Sequence, residues 1–143
     1  MIRRDFALAV QLYRAATVHR DAAKQLVSLV PVRAQSYLGH EVVYLGGYVV
    51  ECSLKSMVVS QTLPTKHPEL LVEFKSEVKH NLDSLRVRLA RRGVQLPTTV
   101  AAAFVLVRSI WAVEMRYNPK RRQRSEVERF LQEAEVIYLW ANR

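Results

Sequence analysis

The chain has 143 residues, half of them hydrophobic, with four glycines, one cysteine, and 22 Lys plus Arg against 13 Asp plus Glu. That length fits one domain over residues 1–143 around a single core, and a lone cysteine excludes an internal disulfide framework. A net charge of +9, carried mainly by sixteen arginines, favours an anionic partner, of which nucleic acid is the commonest; the alternatives are that it keeps a small protein soluble or meets an acidic protein.

In chain order, Met1, Ile2, Arg3 and Arg4 precede an apolar run from Phe6 to Val10. That run is too short for a signal core, and Gln11 and Arg14 interrupt it. No apolar run reads as a membrane span, so a cytoplasmic protein with no membrane role is expected. Phe6, Ala9, Val10, Tyr13, Ala16, Ala23, Leu26 and Val27 predict an amphipathic helix from about Asp5 to Leu29, which Pro31 ends.

A second long helix is expected from about Arg33 to Gln61. Two of its faces are apolar, one with Val42, Leu45, Val49 and Cys52 and the other with Val43, Val50, Leu54 and Met57. The third carries Glu41, Tyr44, Tyr48, Glu51 and Lys55, so this helix reads as the middle of a bundle with a partly solvated polar stripe. Gly46 and Gly47 each cost the helix about 1 kcal/mol against alanine, which calls for a close helix–helix approach. Cys52 lies on an apolar face and reads as a structural thiol.

Leu63 to Pro68 reads as a loop, and Leu70 to Val78 as a short helical piece. Asn81 is a helix N-cap for a segment carrying Leu82, Leu85, Leu89 and a run of arginines, stopped at Gly93. Pro97 opens a further apolar helix through Trp111 to a turn at Asn118 and Pro119. Ser125 and Glu128 have capping-box spacing before the last helix. No strand-like alternation appears, so the expectation is an all-α antiparallel bundle of about five helices.

Arg116, Lys120, Arg121, Arg122 and Arg124 fall within nine residues, joined by Tyr117 and preceded by Trp111. Such a turn can hold phosphates while an aromatic ring stacks on a base. Trp111, Tyr117, Tyr44 and Tyr48 also read as aromatic surface that favours association into a dimer. Glu51 and Lys55 are expected beside Arg116, in a charged groove. His19, His40, His67 and His80 share no helix face at metal-ligand spacing and read as surface or capping residues, so no metal or cofactor is expected.

Three segments together carry a resemblance: Gly47 to Lys55 (GYVVECSLK), His80 to Leu85 (HNLDSL), and Trp111 to Tyr117. In this order and spacing they resemble bacterial HEPN domains, over nearly the whole chain from about Asp5 to Trp140. The resemblance implies a HEPN-like helical fold, a homodimer, and either metal-independent RNA cleavage or RNA and nucleotide binding. It also implies a toxin–antitoxin or defence setting, in which some relatives pair with a minimal nucleotidyltransferase.

By that resemblance the ribonuclease arginine corresponds to Arg116. The histidine expected a few residues on is replaced by Arg121, Arg122 and Gln123. The pairs Arg14 with His19 and Arg33 with His40 match the bare spacing at the level chance gives for this many arginines. The reading is therefore an RNA- or nucleotide-binding protein that cuts weakly or not at all. Its binding residues would be Arg116, Tyr117, Lys120, Arg121, Arg122, Arg124, Lys55, Tyr48 and His80. The alternatives are a ribonuclease with a variant site, using Arg116 and Glu51 with help from Tyr117 or His80, and a structural partner subunit of a nucleotidyltransferase.

Overall fold

The computed structural model describes residues 1–143 and contains only helices and connections. The α-helices are α1 (Ala7–Val27), α2 (Tyr37–Ser60), α3 (His67–Glu73), α4 (Leu82–Arg91), α5 (Thr98–Ile110) and α6 (Arg124–Ala141). Six helices therefore stand where about five were expected. The sixth is α3, where a short helical piece was expected from Leu70 to Val78; it starts earlier, at His67 inside the expected loop, because the prolyl nitrogen of Pro68, in the first turn, needs no hydrogen-bond partner. It runs directly into a π-helical turn, Phe74–Val78.

Helix α2 is the centre of the bundle and packs against α1, α4 and α6. Its glycines are where neighbours come closest. A Cβ on Gly46 would meet Leu131 and Phe130 of α6 at 2.9 Å, and one on Gly47 would overlap the Trp111 indole. The close approach required by the glycine pair is thus present, once against a helix and once against a single ring. The Ser56 hydroxyl donates to the Ala9 carbonyl at 2.6 Å, fastening α2 to α1. Between α1 and α6 the rings of Tyr13 and Tyr138 stack at 4.8 Å, and the Tyr13 hydroxyl donates to the Tyr138 carbonyl. Thirty-two buried apolar side chains, Phe104, Phe130 and Leu54 among them, form one connected core.

The helix ends follow local chemistry in some places and tertiary contacts in others. Asn81 caps α4 by accepting from the Ser84 amide at 3.0 Å. Gly93, at φ +79°, ends that helix in a Schellman motif, with Val94 N–H donating to Leu89 and Gly93 N–H to Ala90. At α6 the capping box forms between Gln123 and Glu126, two residues before the expected pair of Ser125 and Glu128. Arg122, just upstream, is held in an antiparallel bridge with Ser36, and this fixes where the helix can start. Glu128 instead accepts from Arg124 at 2.8 Å.

Helix α5 stops at Ile110, well short of the expected turn at Asn118. Trp111 and Ala112 are extended, and residues Val113–Tyr117 form a 3-10 turn. The break comes from Trp111, whose indole Nε1 donates to the Tyr44 carbonyl at 3.0 Å. Two segments, Tyr37–Ser60 and Thr98–Tyr117, are long and apolar enough to cross a membrane by length and composition, contrary to the expectation that none approached a span. In the bundle 72% of the α2 window is buried, and the second segment is interrupted at Trp111.

Candidate functional site

The polar stripe of α2 faces a cluster assembled from four other parts of the chain. Glu51 is only 4% exposed, yet both of its carboxylate oxygens are engaged. Oε2 takes Lys55 Nζ at 3.0 Å and Oε1 takes His80 Nδ1 at 2.8 Å. To donate there, Nδ1 of His80 must carry a proton, which leaves Nε2 as the free ring nitrogen on a part-exposed imidazole. Burial of a carboxylate is tolerated because each oxygen has a charged or charge-capable donor.

Tyr48 forms the next link. Its ring meets His80 edge-on at 5.9 Å, Trp111 at 5.4 Å and Tyr44 at 5.1 Å, while His19 of α1 stacks on it at 5.5 Å. The Tyr44 and Tyr48 hydroxyls are 2.9 Å apart. Burial, the Tyr44 hydroxyl and the Glu51 charge hold the Tyr48 phenol well above its ordinary range, against a smaller opposing pull from Arg116. Tyr117, and then Tyr44, in turn raise the Arg116 guanidinium. Contacts thus link Lys55, Glu51, His80, Tyr48 and Tyr44, and Arg116 feels the Tyr44 charge, but Glu51 and Arg116 make no direct ion pair. His80 and two tyrosines lead from Glu51 toward Arg116 where a simple charged groove was expected.

Sequence reasoning missed His19, which it set aside as a chance match, and it missed the role of His40. His40 is 1% exposed, not a surface residue. Its Nδ1 accepts from the Lys120 amide at 3.1 Å and its Nε2 donates to the Met115 carbonyl at 2.8 Å. The two bonds fix the Nε2–H tautomer and clip both ends of the 115–120 segment to α2. His67 does act as a cap, contacting the Val59 and Thr62 carbonyls at the end of α2. Nothing in the local sequence marks either histidine, since their partners lie far away or across a helix end.

The basic turn separates into an outer and an inner set. Tyr117 is 77% exposed with the Arg116 guanidinium 4.6 Å from its ring centre. Tyr37 is 53% exposed with the Arg121 guanidinium 5.0 Å from its ring centre. Lys120 is exposed beside them. Arg122 points inward, with a side chain only 13% exposed and Glu126 3.5 Å away, and Arg124 is paired with Glu128. Of the five basic residues expected to hold an anion, three are thus free on the outer face.

Trp111 is only 4% exposed, and Tyr44 and Tyr48 are half-buried, so they do not supply the aromatic surface expected to drive association. Cys52 is half-buried. Burial first, and then Glu51, push its thiol up to about 11, which suits an unreactive residue. No three His, Cys, Asp or Glu side chains converge at metal-binding distance.

Fold and site together define an all-helical bundle with an arginine- and tyrosine-rich face beside a carboxylate-held histidine. The chain matches no protein-family model, no curated protein and no solved structure.

Proposed function

We propose that this protein is a HEPN-like, RNA-binding helical module that holds single-stranded RNA or a nucleotide on the turn following α5. The observation that carries the reading is the pair of exposed stacks, Arg116 on Tyr117 and Arg121 on Tyr37, flanking Lys120. An exposed tyrosine offers a face to a base, and an arginine beside it offers a fork to the neighbouring phosphate. The turn is pre-shaped by His40, so little ordering entropy is lost on binding. Working as a cytoplasmic homodimer with a nucleotidyltransferase partner, in a toxin–antitoxin or defence module, belongs to the same proposal. That part rests on the family resemblance alone.

The test is fluorescence anisotropy with a labelled single-stranded RNA. Tyr117→Ala and Tyr37→Ala should each weaken binding by about 1 kcal/mol or more, the stacking contribution of one base. Arg121→Ala should also flatten the salt dependence, and Arg124→Ala should change little because Glu128 already holds it. Binding indifferent to salt and to both tyrosines would refute the reading.

One observation favours a second reading, RNA cleavage by a variant site. His80 is held at Nδ1 by the buried Glu51 with Nε2 free, an arrangement suited to general acid–base work. Arg116, two tyrosines away, would then stabilise charge on the phosphorane. Cleavage in EDTA that disappears in both His80→Ala and Arg116→Ala would favour this reading over holding.

A further inference from the structure

An open cleft of about 450 Å³ borders His80 and takes no lining residue from the Arg116–Arg124 turn. Leu12 of α1, Leu71 of α3 and Phe74 form its apolar wall, with Lys75, Lys79 and His80 at its polar edge. Lys55 also reaches the cleft, but its charge is already matched by Glu51. No carboxylate lines this cleft, and neither Lys75 nor Lys79 takes part in an ion pair. The neighbouring cleft of about 410 Å³, also bordered by Lys79 and His80, is of mixed charge, with Glu77, Asp83 and Glu114 on its walls beside Arg108.

The backbone that presents these groups is unusual. Phe74–Val78 is a π-helical turn, closed by Lys79 N–H to the Phe74 carbonyl at 2.7 Å. Lys79 then adopts φ +50°, ψ −110°, the conformation of the first central residue of a type II′ turn, where glycine is favoured. The Asn81 N–H closes that turn on the Val78 carbonyl at 2.9 Å. A lysine held in a glycine conformation costs stability, and the consequence is that Lys79 and His80 both border the cleft.

We infer that this cleft binds a phosphomonoester on a small apolar or aromatic body, through Lys75, Lys79 and His80 against the wall of Leu12, Leu71 and Phe74. The two ammonium groups match the charge of the phosphate, and the apolar wall covers the body that carries it. His80 selects for phosphate over other anions. With Nδ1 committed to Glu51, Nε2 either accepts a proton from a monoprotonated phosphate or, when doubly protonated, donates to the dianion. A sulfate ester has no proton to offer and loses the first of these modes. This inference does not depend on RNA binding at Arg116–Arg124, which uses different side chains.

The experiment is an amide and imidazole NMR titration of the whole protein with phenyl phosphate, with phenyl sulfate as the matched probe. Phenyl phosphate should give saturable shifts confined to the cleft lining, at Leu12, Leu71, residues 74–81 and the His80 ring, with a Kd on the order of 1 mM or tighter. Phenyl sulfate should bind at least roughly five-fold more weakly, since it cannot share a proton with Nε2. Lys79→Gly should weaken phenyl phosphate binding about five-fold while raising Tm by roughly 3 °C, because glycine relieves the backbone. A purely structural lysine would not separate those two readouts. Lys75→Gln, on the π-helical turn before the strained residue, should weaken binding without a rise in Tm. No saturation, or undiminished binding in both lysine variants, would overturn the inference. RNA anisotropy on the same samples tells a failure of this cleft from a failure of the arginine turn.

Discussion

Trp111 lies across Gly47. A Cβ at residue 47 would stand 2.0 Å from the indole Nε1, and that same nitrogen donates to the Tyr44 carbonyl. One contact therefore explains a helix-interior glycine, the end of α5 at Ile110 and the placement of the turn that carries Arg116. In an ordinary helix Gly→Ala gains about 1 kcal/mol. At residue 47 the sign reverses, and Gly47→Ala should cost about 2–3 kcal/mol through overpacking. Gly46→Ala should cost less, since its nearest neighbours are the ends of Leu131 and Phe130. Urea denaturation of the two variants checks the order, and equal stability would contradict it.

His40 should matter to binding without touching the ligand. His40→Ala removes a buried ring and both of its bonds to the 115–120 segment, for an expected loss of about 2–4 kcal/mol. Hydrogen exchange at the Lys120 amide should accelerate, and RNA affinity should fall. An unchanged Lys120 amide would show that the clip does not hold the turn.

Glu51 is the counterion of a largely buried Lys55, whose side chain is 12% exposed. Glu51→Gln keeps the shape but strands the ammonium, which should cost about 2–3 kcal/mol. Removing the stranded charge with Lys55→Met in the Glu51→Gln background should recover much of that loss. A double variant no more stable than Glu51→Gln would argue against the pairing.

The ion pair joining α1 to α6 should govern acid stability. Arg20 holds the Glu135 carboxyl below its ordinary range through bonds of 2.6 and 2.5 Å, so the folded state binds the proton more weakly than the unfolded chain. The stabilisation is complete above the unfolded value of about 4.3 and is lost as pH falls through the lowered folded value. Thermal melts of Glu135→Gln should converge with those of the unaltered protein at low pH and diverge from them near neutrality. A gap that persists unchanged to acid pH would refute the assignment.

Cys52 should be a slow thiol. With its ionisation pushed up to about 11, the thiolate fraction near neutrality is small, and labelling by iodoacetamide should lag well behind a free cysteine. Unfolding in urea should restore the ordinary rate. Rapid labelling of the folded protein would contradict this.

Much of the fold was legible in the sequence, because helix periodicity, caps and breakers are local. The three-faced pattern of α2 marked it as central, Asn81 and Gly93 marked the ends of α4, and the glycine pair announced a close approach. The end of α5, the start of α6 and the start of α3 at His67 were less legible. The first two are fixed by Trp111 on Gly47 and by the Ser36–Arg122 bridge, which join residues far apart in the chain.

The candidate site divides along the same line. The sequence by itself determined the inventory: a polar stripe with Tyr48, Glu51 and Lys55 at helical spacing, and a basic turn with an aromatic beside it. Only the tertiary structure decided which of these act together. It brought His80 and His19 to Tyr48, buried His40 under the turn, turned Arg122 inward and left Arg116, Lys120 and Arg121 facing out. The physical reason is that charge and spacing are properties of a segment, whereas burial and hydrogen-bond partnership are properties of a packed pair, and every decisive pair here spans helices.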